Sequence, residues 1–150
     1  MSERPLDRMD KRLLAELQED ARMSFAELGR RVGLSTPATA ERVRKLEERG
    51  VLRGYRAEID SHAIGYPVTA FIRLYVPAQS YAKVLSVLEE MPEVREAHHV
   101  TGDASFVLKV VAQSLIALET MIASFDAFGR TETSVVLSTR LAIHGLPVAL

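Results

Sequence analysis

SFAELGRRVGLSTPATAERVRKLEERGVLRG, residues 24–54, reads as two short helices joined by a tight turn and closed by a sharp stop. Ser24 is placed to cap the first helix, and Glu27, three residues on, completes a capping box. Leu28 and Val32 lie one turn apart on one side. Gly33 ends the helix, because glycine adopts the left-handed position beyond a C-terminus at little cost. Leu34 is the apolar plug of the turn. Ser35 or Thr36 caps the second helix, and Pro37 is tolerated because first-turn N–H groups have no intrahelical partner. That helix runs to about Arg49 and stops at Gly50.

The faces of the second helix decide what it can touch. At about 100° per residue, Thr36, Thr39, Ala40, Val43 and Leu46 share a small, apolar face suited to packing. Ala38, Arg42, Lys45 and Arg49 share another, short at its start and basic further along. A helix that enters the DNA major groove needs short side chains where bases are close and cations where phosphates pass. Residues 30–56 hold eight Lys and Arg against three Glu, a local net of +5 (8 − 3) in a chain whose net charge is −1. A basic run alone is usually a solvated helix face. The turn spacing, the two caps and the one-sided cations together favour DNA binding.

Hydrophobic residues make up 47% of the 150 and charged residues 26%, as in an ordinary globular protein of one domain or two small ones. With no cysteine, disulfides and thiolate metal sites are excluded. MSERPLDRMDKR is too charged for a signal peptide, and no apolar run approaches membrane-spanning length. A cytoplasmic protein with no membrane partner is expected.

Upstream, residues 6–20 form a predicted helix with Asp7 as N-cap, Asp10 in the first turn, and Met9, Leu13, Leu14 and Leu17 as its apolar stripe. Three helices with the third basic make a helix-turn-helix domain, here of winged type. Downstream, Tyr55, Ala57 and Ile59 alternate with Arg56, Glu58 and Asp60 as a short half-buried strand. Gly65 and Pro67 mark a hinge. The expected division is residues 1–53 for the helical domain, 54–67 for a linker strand and hinge, and 68–150 for a second domain.

From Val68 the hydrophobic period becomes two. VTAFIRLYV is a strand, residues 80–91 a helix stopped by Pro92, and Val94–Thr101 a strand. The Gly102-Asp103 turn leads into a strand over Ser105–Val111, with Phe106, Leu108 and Val110 on one face. Ser114 caps a helix bearing Leu118, Met121, Ile122 and Phe125, and Thr133–Ile143 is the last strand. The order β-α-β-β-α-β is the ferredoxin-like arrangement, and the fold class is α+β. Its sheet has one bare face, where Phe71, Arg73, Tyr75 and Val107 are expected; such a face favours self-association into a dimer.

The segments LDRMDKRLLAELQEDAR, LSTPATAERVRKLEERGVLRGY and HVTGDASFVLKV, in that order, resemble the Lrp/AsnC, or feast/famine, family of regulators over nearly the whole chain. That resemblance implies a transcriptional regulator that binds double-stranded DNA and dimerises through its C-terminal sheet. It also implies further assembly into tetramers or octamers, with a small effector, usually an amino acid, held between dimers. Carried onto this chain, the DNA-binding residues are Ser35, Thr36, Ala38, Thr39, Arg42 and Lys45. Arg42 and Lys45 would meet backbone or base edges, with Thr36, Ala38 and Thr39 near the bases. The implied effector residues are His99, Thr101, Gly102, Asp103, Thr131 and Thr133. Backbone N–H groups near Gly102 would take the carboxylate, and Asp103 the ammonium. Where many members carry a bulky or acidic residue after the Gly-Asp/Glu pair, this chain has Ala104 and Ser105, which implies a smaller pocket edge. Taken alone, Gly-Asp is simply what a turn wants.

The rival reading is an enzyme resembling the sirohaem decarboxylases, with His98 or His99 serving haem chemistry; a third is an assembly module with an idle DNA head. The chain shows no paired carboxylates and no nucleophile–base arrangement. His98 and His99 are adjacent in a strand and point to opposite faces. Neither catalysis nor any metal or cofactor is expected.

Overall fold

The stripe Met9, Leu13, Leu14, Leu17 folds as α1 (Arg8–Glu19) in the computed structural model, which describes residues 5–148. Asp7 caps it: its carboxylate accepts the Asp10 N–H at 2.8 Å, and the Asp10 carboxylate accepts the Asp7 N–H in return at 3.3 Å. α2 (Phe25–Val32) starts at Ser24, whose hydroxyl oxygen accepts the Glu27 N–H at 3.2 Å. The Glu27 carboxylate turns to Arg30 and Arg31, at 2.7 Å and 2.9 Å. Gly33 follows at φ 81°, in the left-handed conformation the turn requires. Ser35, rather than Thr36, caps α3 (Thr36–Glu48).

Leu13, Leu17, Leu28, Val32 and Val43 close into one core, each contributing roughly 1.5–3 kcal/mol by leaving water. Arg12 reaches from α1 to the end of α2, donating to the carbonyls of Arg31 at 3.0 Å and Val32 at 3.3 Å. Those carbonyls lie past the last intrahelical N–H, so the guanidinium satisfies groups the helix cannot. The described residues of this helical unit contain no strand, so no wing is present. Residues 55–60 are likewise exposed and irregular, not the expected half-buried strand. A strand needs a neighbour for its N–H and C=O groups, and this chain supplies none there.

The second unit runs β1 (Val68–Tyr75), a short 3₁₀ turn at Ala78–Ser80, α4 (Tyr81–Glu89), β2 (Val94–His99), β3 (Phe106–Ala112), α5 (Leu115–Phe125) and β4 (Arg130–Val135). All pairings are antiparallel, in the order β2-β3-β1-β4. This is the expected β-α-β-β-α-β topology, and the chain is α+β. Ala70, Ile72 and Leu74 of β1 and Phe106, Leu108 and Val110 of β3 are buried together with Val84, Leu88, Leu118, Met121 and Phe125 of the two helices. Phe71, Arg73, Val107 and Lys109 alternate with them on the other face, and Phe71 is exposed.

β4 ends sooner than its β-branched run implies. Val135 pairs with Ala70, and the Val136 N–H donates to the Thr69 carbonyl at 2.9 Å; β1 begins one residue further on, so the ladder stops for want of a partner. Beyond Arg140 the chain leaves this unit. Residues from Leu141 belong with those up to Glu58, and Ile59–Arg140 form the other compact unit. The tail is held on α1 by Gln18, whose amide nitrogen donates to the Leu146 carbonyl at 3.1 Å and whose oxygen accepts the Leu146 N–H at 2.5 Å.

Candidate nucleic-acid interface and effector residues

α3 buries Thr39, Val43 and Leu46 and turns Ala38, Arg42, Lys45 and Arg49 to a groove of about 400 Å³ beside Asp10, Glu41 and Glu48. The two helix faces read from the sequence are therefore distinct surfaces. Ser35 and Thr36 are exposed at the helix start and Ala38 half-buried, so short side chains stand where a helix N-terminus would meet an edge. Thr39 differs from its expected place near bases: it is 0% exposed, and its hydroxyl donates to the Ser35 carbonyl at 2.9 Å. It belongs to the packing face, where a polar side chain is tolerated because its one donor is satisfied.

The cations are less available than their number implies. Arg30 and Arg31 bind Glu27, and Arg31 also binds Glu16 at 2.9 Å. Arg44 holds Glu41 at 2.8 Å and also pairs with Glu48. Lys45 lies 3.2 Å from Glu41 with its side chain 60% exposed. Hydrogen bonds from Arg44 and then Lys45 pull the Glu41 carboxyl down to about 2. Arg42 is the exception in kind: its Nη1 contacts Asp7 at 2.8 Å and Asp10 at 2.7 Å, both on another helix terminus. Its hydrogen bond is the main reason the Asp7 carboxyl is held below its ordinary value. Tyr55, just past the helix, donates to Glu47 at 2.9 Å; burial first and this bond second push its hydroxyl up to about 12.

In the second unit Thr101, Gly102 and Asp103 form an exposed turn between β2 and β3. His99 lies on the helix side, 5.0 Å from the Tyr81 ring and 5.3 Å from Phe106. His98 lies on the bare face, its Nε2 3.1 Å from Glu96, so the two histidines do point apart. Thr131 and Thr133 are half-buried on β4. His99, Phe106, Leu74 and Thr131 form one register row across all four strands. Three strand spacings separate its ends, about 14 Å. His99 and Thr131 thus lie at opposite sheet edges, and the Thr101-Gly102-Asp103 turn joins β2 to β3 while Thr131 and Thr133 belong to β4. A cavity of about 260 Å³ in this unit, lined by Tyr66, Met91, Glu93, Gln113 and Met121 among others, contains none of them.

Ser105, which the sequence places at a strand start and a small pocket edge, does more than that. It is buried; its hydroxyl donates to the Val76 carbonyl at 2.8 Å and accepts the Val76 N–H at 3.2 Å, while its own N–H donates to Leu74 at 2.7 Å. Nothing local signals this, since its partners Val76 and Leu74 lie twenty-nine and thirty-one (105 − 74) positions away. Among the described residues no cluster of His, Asp and Glu has metal-binding geometry.

Residues 6–47 match the AsnC-type helix-turn-helix domain, and residues 69–142 the Lrp/AsnC ligand binding domain. The chain is 35% identical over 133 residues to the HTH-type transcriptional regulator LrpC of Bacillus subtilis, covering 89% of this chain and 92% of that one. The LrpC structure superposes with a TM-score of 0.87, covering 91% of this chain and 97% of LrpC. This chain is 39% identical over 142 residues to the leucine-responsive regulatory protein of Rhizobium meliloti, covering 93% of this chain and 90% of that one. The feast or famine regulatory protein Rv3291c of M. tuberculosis, solved in complex with L-methionine, is 35% identical with a TM-score of 0.86, covering 92% and 96%.

Proposed function

The chain belongs to the Lrp/AsnC family of transcriptional regulators, and from that premise we propose a sequence-specific DNA-binding regulator whose assembly or DNA affinity responds to an amino acid. The observation that carries the DNA half is the short-then-basic face of α3 on a capped helix-turn-helix. Ser35, Thr36 and Ala38 approach base edges, and Lys45 approaches phosphate. Two such helices in a dimer reach successive major grooves. A regulator of this kind works in the cytoplasm.

The effector half rests on the turn Thr101-Gly102-Asp103, with His99 beside it and Thr131 and Thr133 on the far edge. Their separation favours a site assembled from more than one copy, which makes ligand binding and oligomerisation two readings of one equilibrium. Self-association begins at the bare sheet face around Phe71 and Val107. L-methionine, present in the Rv3291c complex, is the first ligand to try.

A gel shift on fragments of the source genome, starting upstream of its own gene, tests both halves. Salt-sensitive binding that one amino-acid pool alters supports the whole reading. Binding indifferent to every pool leaves a regulator without a sensor. No binding on any fragment removes the regulator and brings forward the enzyme, which absorbance with added haem then examines.

A further inference from the structure

Arg42 sits on the groove-lining face of α3, yet its guanidinium is taken by Asp7 and Asp10, thirty-five and thirty-two residues earlier in the chain. Those carboxylates are also the two members of the α1 capping box. Asp10 is 9% exposed at its side chain and Arg42 34%, so the cluster is partly withdrawn from water. A phosphate drawn to Arg42 there would meet two carboxylates at contact distance from the same guanidinium, which cancels the attraction. Lys45, one turn on, pairs with Glu41 of its own helix at 3.2 Å and, with its side chain 60% exposed, projects much further into solvent.

We propose that Arg42 is a positioning residue: it clasps the N-terminus of α1, fixes how α3 is presented, and contacts no DNA itself. The inference rests on the DNA-binding function proposed above. Its signature follows from linkage. A clasp raises the fraction of molecules in the binding-competent arrangement, so losing it scales affinity down by that fraction. It leaves untouched the number of phosphates neutralised in the complex, and hence the salt slope.

The experiment is fluorescence anisotropy of the full chain on a genomic fragment that the wild type binds, over a range of salt concentrations. Arg42→Gln, Asp7→Asn and the double variant are compared with Lys45→Gln. Asparagine caps a helix as well as aspartate does, so Asp7→Asn preserves the fold even if Arg42→Gln does not. The expected result is that Arg42→Gln weakens binding about fivefold or more, and Asp7→Asn by a smaller factor because the Asp10 contact remains, both with unchanged slope. The double variant is no weaker than Arg42→Gln, which by itself removes both contacts of the clasp, whereas Asp7→Asn leaves the one to Asp10. Lys45→Gln lowers the slope by about 0.9 for each copy of α3 on the DNA. The inference is overturned if Arg42→Gln lowers the slope similarly, or if Asp7→Asn, which removes a negative charge, leaves binding unchanged or tightens it. Failure of the wild type to bind any fragment would count against the proposed function, and is distinguishable from both.

Discussion

Ser105 and Val76 exchange two hydrogen bonds through one buried hydroxyl, which donates to the Val76 carbonyl and accepts its N–H. This pins the turn that carries Thr101, Gly102 and Asp103 to the end of β1, beyond the last ladder pair between Leu74 and Phe106. Ser105→Ala removes both bonds and leaves two buried backbone groups unpaired. The expected loss is about 1–3 kcal/mol in urea unfolding, with faster hydrogen exchange at the Val76 amide. Unchanged exchange there would mean water replaces the hydroxyl fully.

Gly29 is tied to Leu34 and Thr39 by closeness rather than by dihedral angle. A Cβ at Gly29 would come within 2.7 Å of the Leu34 carbonyl oxygen and 2.7 Å of the Thr39 hydroxyl. The carbonyl is backbone and cannot swing away. Gly29→Ala therefore forces α2 and α3 apart, at about 1–3 kcal/mol, and lowers the melting temperature of the full chain. A variant as stable as wild type would show that the turn between the two helices yields easily.

Gln18 predicts the behaviour of the tail. Gln18→Ala deletes both bonds to Leu146 at an exposed site. Global stability should shift by about 0.5 kcal/mol or less, while the Leu146 amide loses its protection from exchange. Persistent protection in the variant would mean that other contacts hold the tail.

Two carboxyls should report their partners on titration. Asp7 is depressed chiefly by the hydrogen bond from Arg42, and Glu41 falls to about 2 through Arg44 and Lys45. A depressed folded-state value means that the contribution is fully present above the unfolded value. It is lost as pH falls through the folded one. Both contributions therefore hold at neutral pH and disappear below the ordinary carboxylate range. Carbon-detected NMR should find the Asp7 midpoint below its ordinary value in the wild type, and restored toward it in Arg42→Gln. A midpoint indifferent to that substitution would place the cause elsewhere.

Phe71 on the bare sheet face gives the test of self-association. Phe71→Asp puts a charge where a second copy would bury an aromatic ring, and should convert the assembled protein to a smaller species in analytical ultracentrifugation. An unchanged sedimentation coefficient would remove this face as the interface.

Most of this architecture could be read in advance because it is written in local chemistry. Caps at Asp7, Ser24 and Ser35, the stop at Gly33, and the change of period at Val68 act over a few residues, and the folded chain keeps them. Helix-turn-helix, βαββαβ order and the alternation that separates Phe71 from Ile72 all follow from such short-range rules. What escaped that reading involves partners distant along the chain. Arg42 looked like a free cation until Asp7 and Asp10 were folded against it, and Thr39 looked accessible until α2 packed over it at Gly29. β4 stopped where β1 ran out, residues 55–60 found no neighbour to pair with, and the tail crossed to α1. Periodicity says which face of an element is apolar; it cannot say which charged or extended segment, dozens of residues away, will satisfy a donor on that face. Only the packed chain brings those groups within the about 3 Å at which a hydrogen bond forms.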